Sequence, residues 1–365
     1  MAARIKWITS KFGKRDWSAE DKWQRIDVNN YAITRPTVIA LTGNAALSEN
    51  DANGFCKRAE NLLELLFKNS QNPDGHPTDF VEIIGCAYGS SVRLNIPDMD
   101  KAEEAEFFEK YPSWRDYAKE FPKRVMYPST GSIKDGELDK MVEGMIIPLL
   151  KNESGQRLTK DLACRNMSQI TFFSWCHGAR EVANMLQRVY KRACALGYAE
   201  DEAMDILGAC MHVSYSPVTT ANYCPSVRFD SLMDYFNLSL AEDKEGLQGI
   251  EVEREGINLK LQQFYDGLHV YSSKLTNGDS VDRNEHSVHF LDRDRDWKIK
   301  TPHNNADAMS QMMAWALCRA VENSLQNAKS DTYIPKMTLY DLMTELNSVR
   351  DGFDKIDLIQ KEMVE

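Results

Sequence analysis

Residues 168–195 constrain the fold more than any other stretch of the chain. The apolar run SQITFFSW at 168–175 leads straight to Cys176 and Gly178, and Val182, Met185, Leu186, Val189 and Ala193 then recur at helical spacing. A short apolar run rich in β-branched and aromatic residues reads as a buried strand, and a 3.6-residue stripe reads as an amphipathic helix. Almost nothing separates the two, so the chain has to reverse sharply at Cys176. A buried strand feeding directly into a helix is the repeating unit of parallel sheets.

The same alternation recurs along the chain. Residues 37–42 (TVIALT), 79–88 (DFVEIIGCAY), 206–216 (ILGACMHVSYS), 267–274 (GLHVYSSK) and 287–291 (SVHFL) read as strands, with a weaker edge strand at 3–9. Helices are predicted at about 49–68, with Phe55, Ala59, Leu62, Leu63 and Leu66 inward, and at about 306–325, with Met309, Met313, Ala316, Leu317 and Ala320 inward. Strands alternating with helices predict an α/β fold: a mostly parallel central sheet with helices on both faces.

Residues from about 98 to 160 break the alternation with a charged helix around 100–111, the aromatic stretch YPSWRDYAKEFP and a helix near 136–150. They predict a helical insertion or cap over the carboxyl ends of the strands, where open α/β sheets bind ligands. This gives one domain over residues 1–330. Residues 331–365 then form a carboxyl-terminal helical extension packed on it, opened by a T-x-x-D cap at Thr338.

With 365 residues, 42% of them hydrophobic, there is material for a sizeable core. A net charge of -11, with Lys and Arg scattered, excludes a surface built to neutralise phosphates, so nucleic acid is not expected as a partner. The amino terminus lacks the apolar run of about 7–15 residues of a secretory signal. No segment approaches the roughly 20 apolar residues of a membrane span. A cytoplasmic protein without a transmembrane segment is the expectation. The eight cysteines form no C-x-x-C pair, which favours reduced thiols over disulfides or zinc; no metal and no cofactor are expected.

Ser174-Trp175-Cys176-His177-Gly178 places small residues two before and two after a nucleophilic side chain, as a tight strand-to-helix turn requires. The five residues resemble the G-x-S-x-G turn of the α/β-hydrolase superfamily, with Ser for the first Gly and Cys as nucleophile, as in dienelactone-hydrolase-like members. The resemblance implies Cys176 as nucleophile, with an oxyanion hole from the His177 amide and the Gly43-Asn44 loop. The family's order of nucleophile, acid and histidine then implies Asp279, with Asp282 as second choice, in the loop after 267–274, and His303 after 287–291. Such a Cys-His-Asp triad acts on ester, thioester or related acyl substrates. The sequence departs from the family pattern at Ser174 and in the long segment before the nucleophile strand.

The remaining polar residues carry blander readings. His212 lies inside an apolar strand and reads as a core histidine, and His177 as structural rather than the base. His286 and His289, three apart, point to opposite faces of a strand and make no metal pair. Asp292, Asp294 and Asp296 alternate with Arg293 and Arg295, which would oppose a calcium ion. A second functional reading is a catalytically silent hydrolase-fold or Rossmann-like module that binds a protein partner through the insertion and the carboxyl-terminal helices. The general look of the chain, with its charged carboxyl-terminal tail ending Lys-Glu-Met-Val-Glu, is similar to uncharacterised effectors of intracellular bacteria, a resemblance that would allow non-classical secretion into a host cell.

Overall fold

The structure, a computed structural model, describes residues 6–10, 23–43, 49–67, 81–87, 109, 135–215, 217, 223–231, 262–265, 268–275, 283–292 and 310–336. Their strands are β1 (Lys6–Ser10), β2 (Trp23–Arg25), β3 (Thr37–Leu41), β4 (Glu82–Ala87), β5 (Ile170–Trp175), β6 (Met211–Tyr215), β7 (Ser226–Ser231), β8 (Gln262–Tyr265), β9 (Leu268–Leu275) and β10 (Arg283–Asp292). They join one sheet in the order β2-β1-β4-β3-β5-β6-β7-β10-β9-β8. Strands β4, β3, β5, β6 and β7 are all parallel, and β10 continues the parallel run beside β7. Antiparallel strands close the two edges: β1 with β2 beyond β4, and β9 with β8 beyond β10.

The helices are α1 (Glu49–Phe67), α2 (Asp135–Met141), α3 (Lys160–Met167), α4 (His177–Ala195), α5 (Glu200–Gly208) and α6 (Ser310–Lys329). A π turn over Val142–Ile146 and a 3-10 turn over Ile147–Leu150 prolong α2. Both sheet faces are covered because β3, β5 and β6 carry apolar residues on both faces, alternate residues pointing oppositely. Val38, Ala40, Phe173, Val213 and Phe229 pack with α1 and α6. Ile39, Leu41, Ile170 and Phe172 pack with α4, α5 and the turns after α2. Phe172 and Phe173, adjacent in sequence and both wholly buried, thus anchor different layers. Truncating either to Ala costs about 3–5 kcal/mol.

The expected α/β class is observed, with differences in detail. Residues 206–208, read as the start of a strand, belong to α5, and the strand begins only at Met211. Three acidic residues in the first turn of α5, Glu200, Asp201 and Glu202, complement the helix dipole and extend a helix into the apolar run. Strands β2, β7 and β8 were not anticipated. The stretch 98–134 (Glu109 apart) and the extension beyond Lys336 lie outside the described residues. Among the described residues, no helix is long and apolar enough to cross a membrane.

The carboxyl-terminal helix is tied in by polar groups. The Ser324 hydroxyl donates to the Ser168 carbonyl at 2.6 Å, fixing α6 to the entrance of β5. The Asn327 amide acts like one more backbone unit, donating to the Ile334 carbonyl and accepting the Ile334 N–H, both at 2.8 Å. That docking carries Lys336 inward. Its stem is partly exposed, but Nζ is covered and has no hydrogen-bond partner. Burial lowers the ammonium pKa from 10.5 to about 8, against a smaller opposing pull from the Cys210 and Cys224 thiols.

Below about pH 8 both states are protonated and the fold bears the whole burial penalty; as pH rises from about 8 to 10.5 the unfolded chain alone keeps the proton, so this residue's contribution to stability rises. Lys336→Met should therefore be more stable than the parent at pH 7, and the parent should recover about 3 kcal/mol relative to it across that window. Urea midpoints of both proteins at a series of pH values measure the difference.

Candidate active site

Cys176 stands between the last residue of β5 and the first of α4, with φ 53° and ψ -123°. It is the one non-glycine residue with positive φ among the described residues. Side chains avoid this region because Cβ collides with the backbone, at a cost of order 1–3 kcal/mol. The chain adopts it because two requirements meet there. The Cys176 N–H is still the last rung of the β5–β6 ladder, donating to the Tyr215 carbonyl at 3.2 Å. Its carbonyl already accepts the Ala179 N–H at 3.1 Å, in the i→i+3 turn that opens α4.

Gly178 explains how the helix starts so close to the sheet. A Cβ there would lie 2.1 Å from the Leu41 carbonyl oxygen and 2.7 Å from that of Thr42, so no other residue fits without moving backbone. Gly43 makes the second close approach. A Cβ there would sit 3.2 Å from the Cys176 Cβ and 3.2 Å from the Trp175 ring. The end of β3 and the turn after β5 are therefore in contact, as the register Leu41↔Ser174 requires. The Trp175 ring stacks on Tyr215 at 5.8 Å, and the Arg58 guanidinium of α1 lies over the same Tyr215 ring at 4.9 Å.

Polar groups are buried beneath the turn. Ser174 Oγ lies 2.6 Å from His212 Nε2 on the neighbouring strand. His177 and Glu181, one helical turn apart, are wholly buried, with Nδ1 and Oε1 3.4 Å apart. Burial, reinforced by Arg180, pushes the His177 imidazolium down to about 3. Burial thus favours a neutral imidazole beside Glu181.

The structure brings Cys176, Gly43 and the first residue of α4, His177, together. Asn44, Asp279, Asp282 and His303 lie outside the described residues. The strand ends that flank them are informative. Strands β5, β6, β7 and β10 end at one edge of the sheet, with Trp175, Tyr215, Ser231 and Asp292. Strand β9 is antiparallel to β10, so Leu275 and Arg283, between which Asp279 and Asp282 fall, sit at the opposite edge. Sequence reasoning read His212 as a core histidine and Ser174 as the first small residue of the turn; the cross-strand contact that joins them becomes visible only once the register is known.

No protein-family model matches the chain, and no curated protein matches it. Among the described residues no three His, Cys, Asp or Glu side chains converge as a metal site. The geometry at the turn can present one thiol at the mouth of the sheet, with the first-turn amides of α4 and the main chain of Gly43 alongside, where they can receive a developing negative charge.

The strain at Cys176 is separable from its chemistry. Cys176→Gly should be more stable than Cys176→Ala by about 1 kcal/mol, because only glycine relaxes at this φ while both lose the sulfur. Thermal or chemical denaturation of the two variants checks it.

Proposed function

We propose that the protein is a cysteine-dependent hydrolase or acyltransferase on an α/β-hydrolase-like fold. The observation that carries the reading is the backbone of Cys176, a nucleophilic residue at φ 53° between a central parallel strand and a helix. Cys176 is itself buried, at 7% exposure, but packing alone has no need of that strain, whereas a nucleophile placed at a strand-to-helix turn does. Support also comes from Gly43 and Gly178, the two places where backbone must approach the turn closely.

In this mechanism the Cys176 sulfur attacks the acyl carbonyl and forms a C–S bond. The His177 amide and the Gly43-Asn44 loop receive the charge on the oxygen. His303, which follows the end of β10 at the Cys176 edge, takes the thiol proton and passes it to the departing alcohol or thiol. Water, deprotonated by the same imidazole, then attacks the thioester and releases the acid and the free thiol; an acceptor alcohol or amine in place of water gives acyl transfer.

The orienting acid needs a strand end on the same edge. The order of the resembled family points to Asp279, with Asp282 as second choice, but the strand ends that flank them, Leu275 and Arg283, lie at the opposite edge from Cys176. Strand β7 ends at the Cys176 edge with Ser231, and Asp234 is the first carboxylate after it. Because the end of β7, Ser231, pairs with the end of β10, Asp292, which His303 follows in the chain, Asp234 is the better-supported residue to fix the His303 tautomer.

Cys176→Ala should lower turnover of an activated aryl ester or thioester by at least about 10³-fold and abolish the fast component of iodoacetamide labelling. Burial raises Cys56, Cys164 and Cys210, the last two to about 12, so labelling from these thiols is slow at neutral pH. Unchanged turnover in this variant overturns the reading. Asp234→Asn should cost about 10²–10⁴ in kcat while Asp279→Asn leaves it near the parent value; steady-state kinetics on both variants distinguishes the two acids.

A further inference from the structure

We propose that His212 is a positioning residue that acts through Ser174 to set the direction of the Cys176 thiol, an inference that rests on the assignment of Cys176 as nucleophile. Ser174 and His212 are both buried, at 0% and 3% exposure. They sit on adjacent parallel strands, two residues out of register, since Ser174 pairs with Ser214 and His212 with Phe172. Their side chains therefore meet diagonally on the face that α4 covers, Ser174 Oγ to His212 Nε2 at 2.6 Å.

The imidazole is aimed, not merely present. Phe172 meets it edge-on, with centroids 6.4 Å apart and planes at 83°, which fixes the ring plane while Ser174 fixes its tip. On the other face of the same two strands Trp175 stacks on Tyr215. The end of β5 is thus held to β6 from both sides immediately before the chain turns into its strained conformation. A residue kept off its preferred φ persists only where its surroundings over-determine it, and these two cross-strand contacts supply that constraint. A glycine at position 174 would offer no such tie. Serine adds an oxygen that needs a buried partner, and His212 provides it.

The expected signature is a coupled loss of thiol reactivity without a loss of substrate affinity. Ser174→Ala and Ser174→Gly should each slow iodoacetamide alkylation of Cys176 by about tenfold or more and lower kcat in proportion, with KM within about twofold. His212→Phe should do the same, and the Ser174→Ala/His212→Phe double variant should be no slower than the worse single variant. His212→Gln, whose amide reaches the place of Nε2, should restore most of the rate. Two serine variants are included so that a folding failure in one leaves the other to decide.

A purely structural role would lower the melting temperature while leaving the alkylation rate of the folded protein unchanged, and that result overturns the inference. Additive losses in the double variant overturn it as well. The two readings fail separately. If Cys176→Ala keeps full turnover, the proposed hydrolase falls, whereas the alkylation rates of the Ser174 and His212 variants still test whether this pair controls the thiol.

Discussion

The start of α4 rests directly on the end of β3, with Gly178 against the carbonyls of Leu41 and Thr42, and the rest of the site depends on that contact. A side chain at 178 would push the helix away by more than an ångström, and the step from β5 into α4 would no longer need so sharp a bend. With the helix held this close, the chain has a single residue in which to change from strand to helix. The reversal falls on Cys176 and forces its φ to 53°. The same contact sets the neighbourhood of the sulfur, because the β3 end that receives Gly178 continues into Gly43, whose open side faces the Cys176 Cβ.

Holding one residue in a strained conformation takes rigid surroundings, and the fold supplies them asymmetrically. On the α1 side the constraint is aromatic: Phe55 stacks on Phe173 at 4.8 Å and Trp175 on Tyr215 at 5.8 Å. On the α4 side it is polar, through Ser174–His212 and His177–Glu181. Ring stacks resist tilting of the strand ends but tolerate sliding, whereas a short hydrogen bond fixes one distance. The two together specify the strand end more fully than either kind of contact would alone. Buried polar groups are a costly way to fill a core, so their concentration under one turn marks the place where position matters more than stability.

Much of this was legible in the sequence, and the limits have physical causes. The β5–turn–α4 unit was readable because its strand carries apolar residues on both faces and its helix carries an unbroken stripe; Val182, Met185, Leu186, Val189 and Ala193 are all buried as that stripe requires. The run at 206–216 was misread at its start, because an apolar segment that is buried all round shows no period to separate helix from strand. Strand β7, SVRFDS, escaped because its charged residues interrupt the apolar pattern, while its place between β6 and β10 is decided by pairing partners far apart in the chain.

The consequence for the orienting acid follows from strand direction, which sequence does not record. Strands β9 and β10 each look like one more member of an alternating series, and chain order alone puts an acid between them in the right place. Once β9 runs antiparallel to β10, its carboxyl end belongs to the far edge, although it precedes β10 in sequence. Chain order predicts a site only when every strand in the count points the same way. Here the parallel strands whose carboxyl ends lie on the Cys176 side are β4, β3, β5, β6, β7 and β10, and on the proposed reading the groups that assist the thiol come from segments that follow them. On that reading Gly43 follows β3 and His303 follows β10, and β7 is the strand whose end, Ser231, pairs with the end of β10, Asp292, so the segment after β7 starts beside the one that leads to the imidazole.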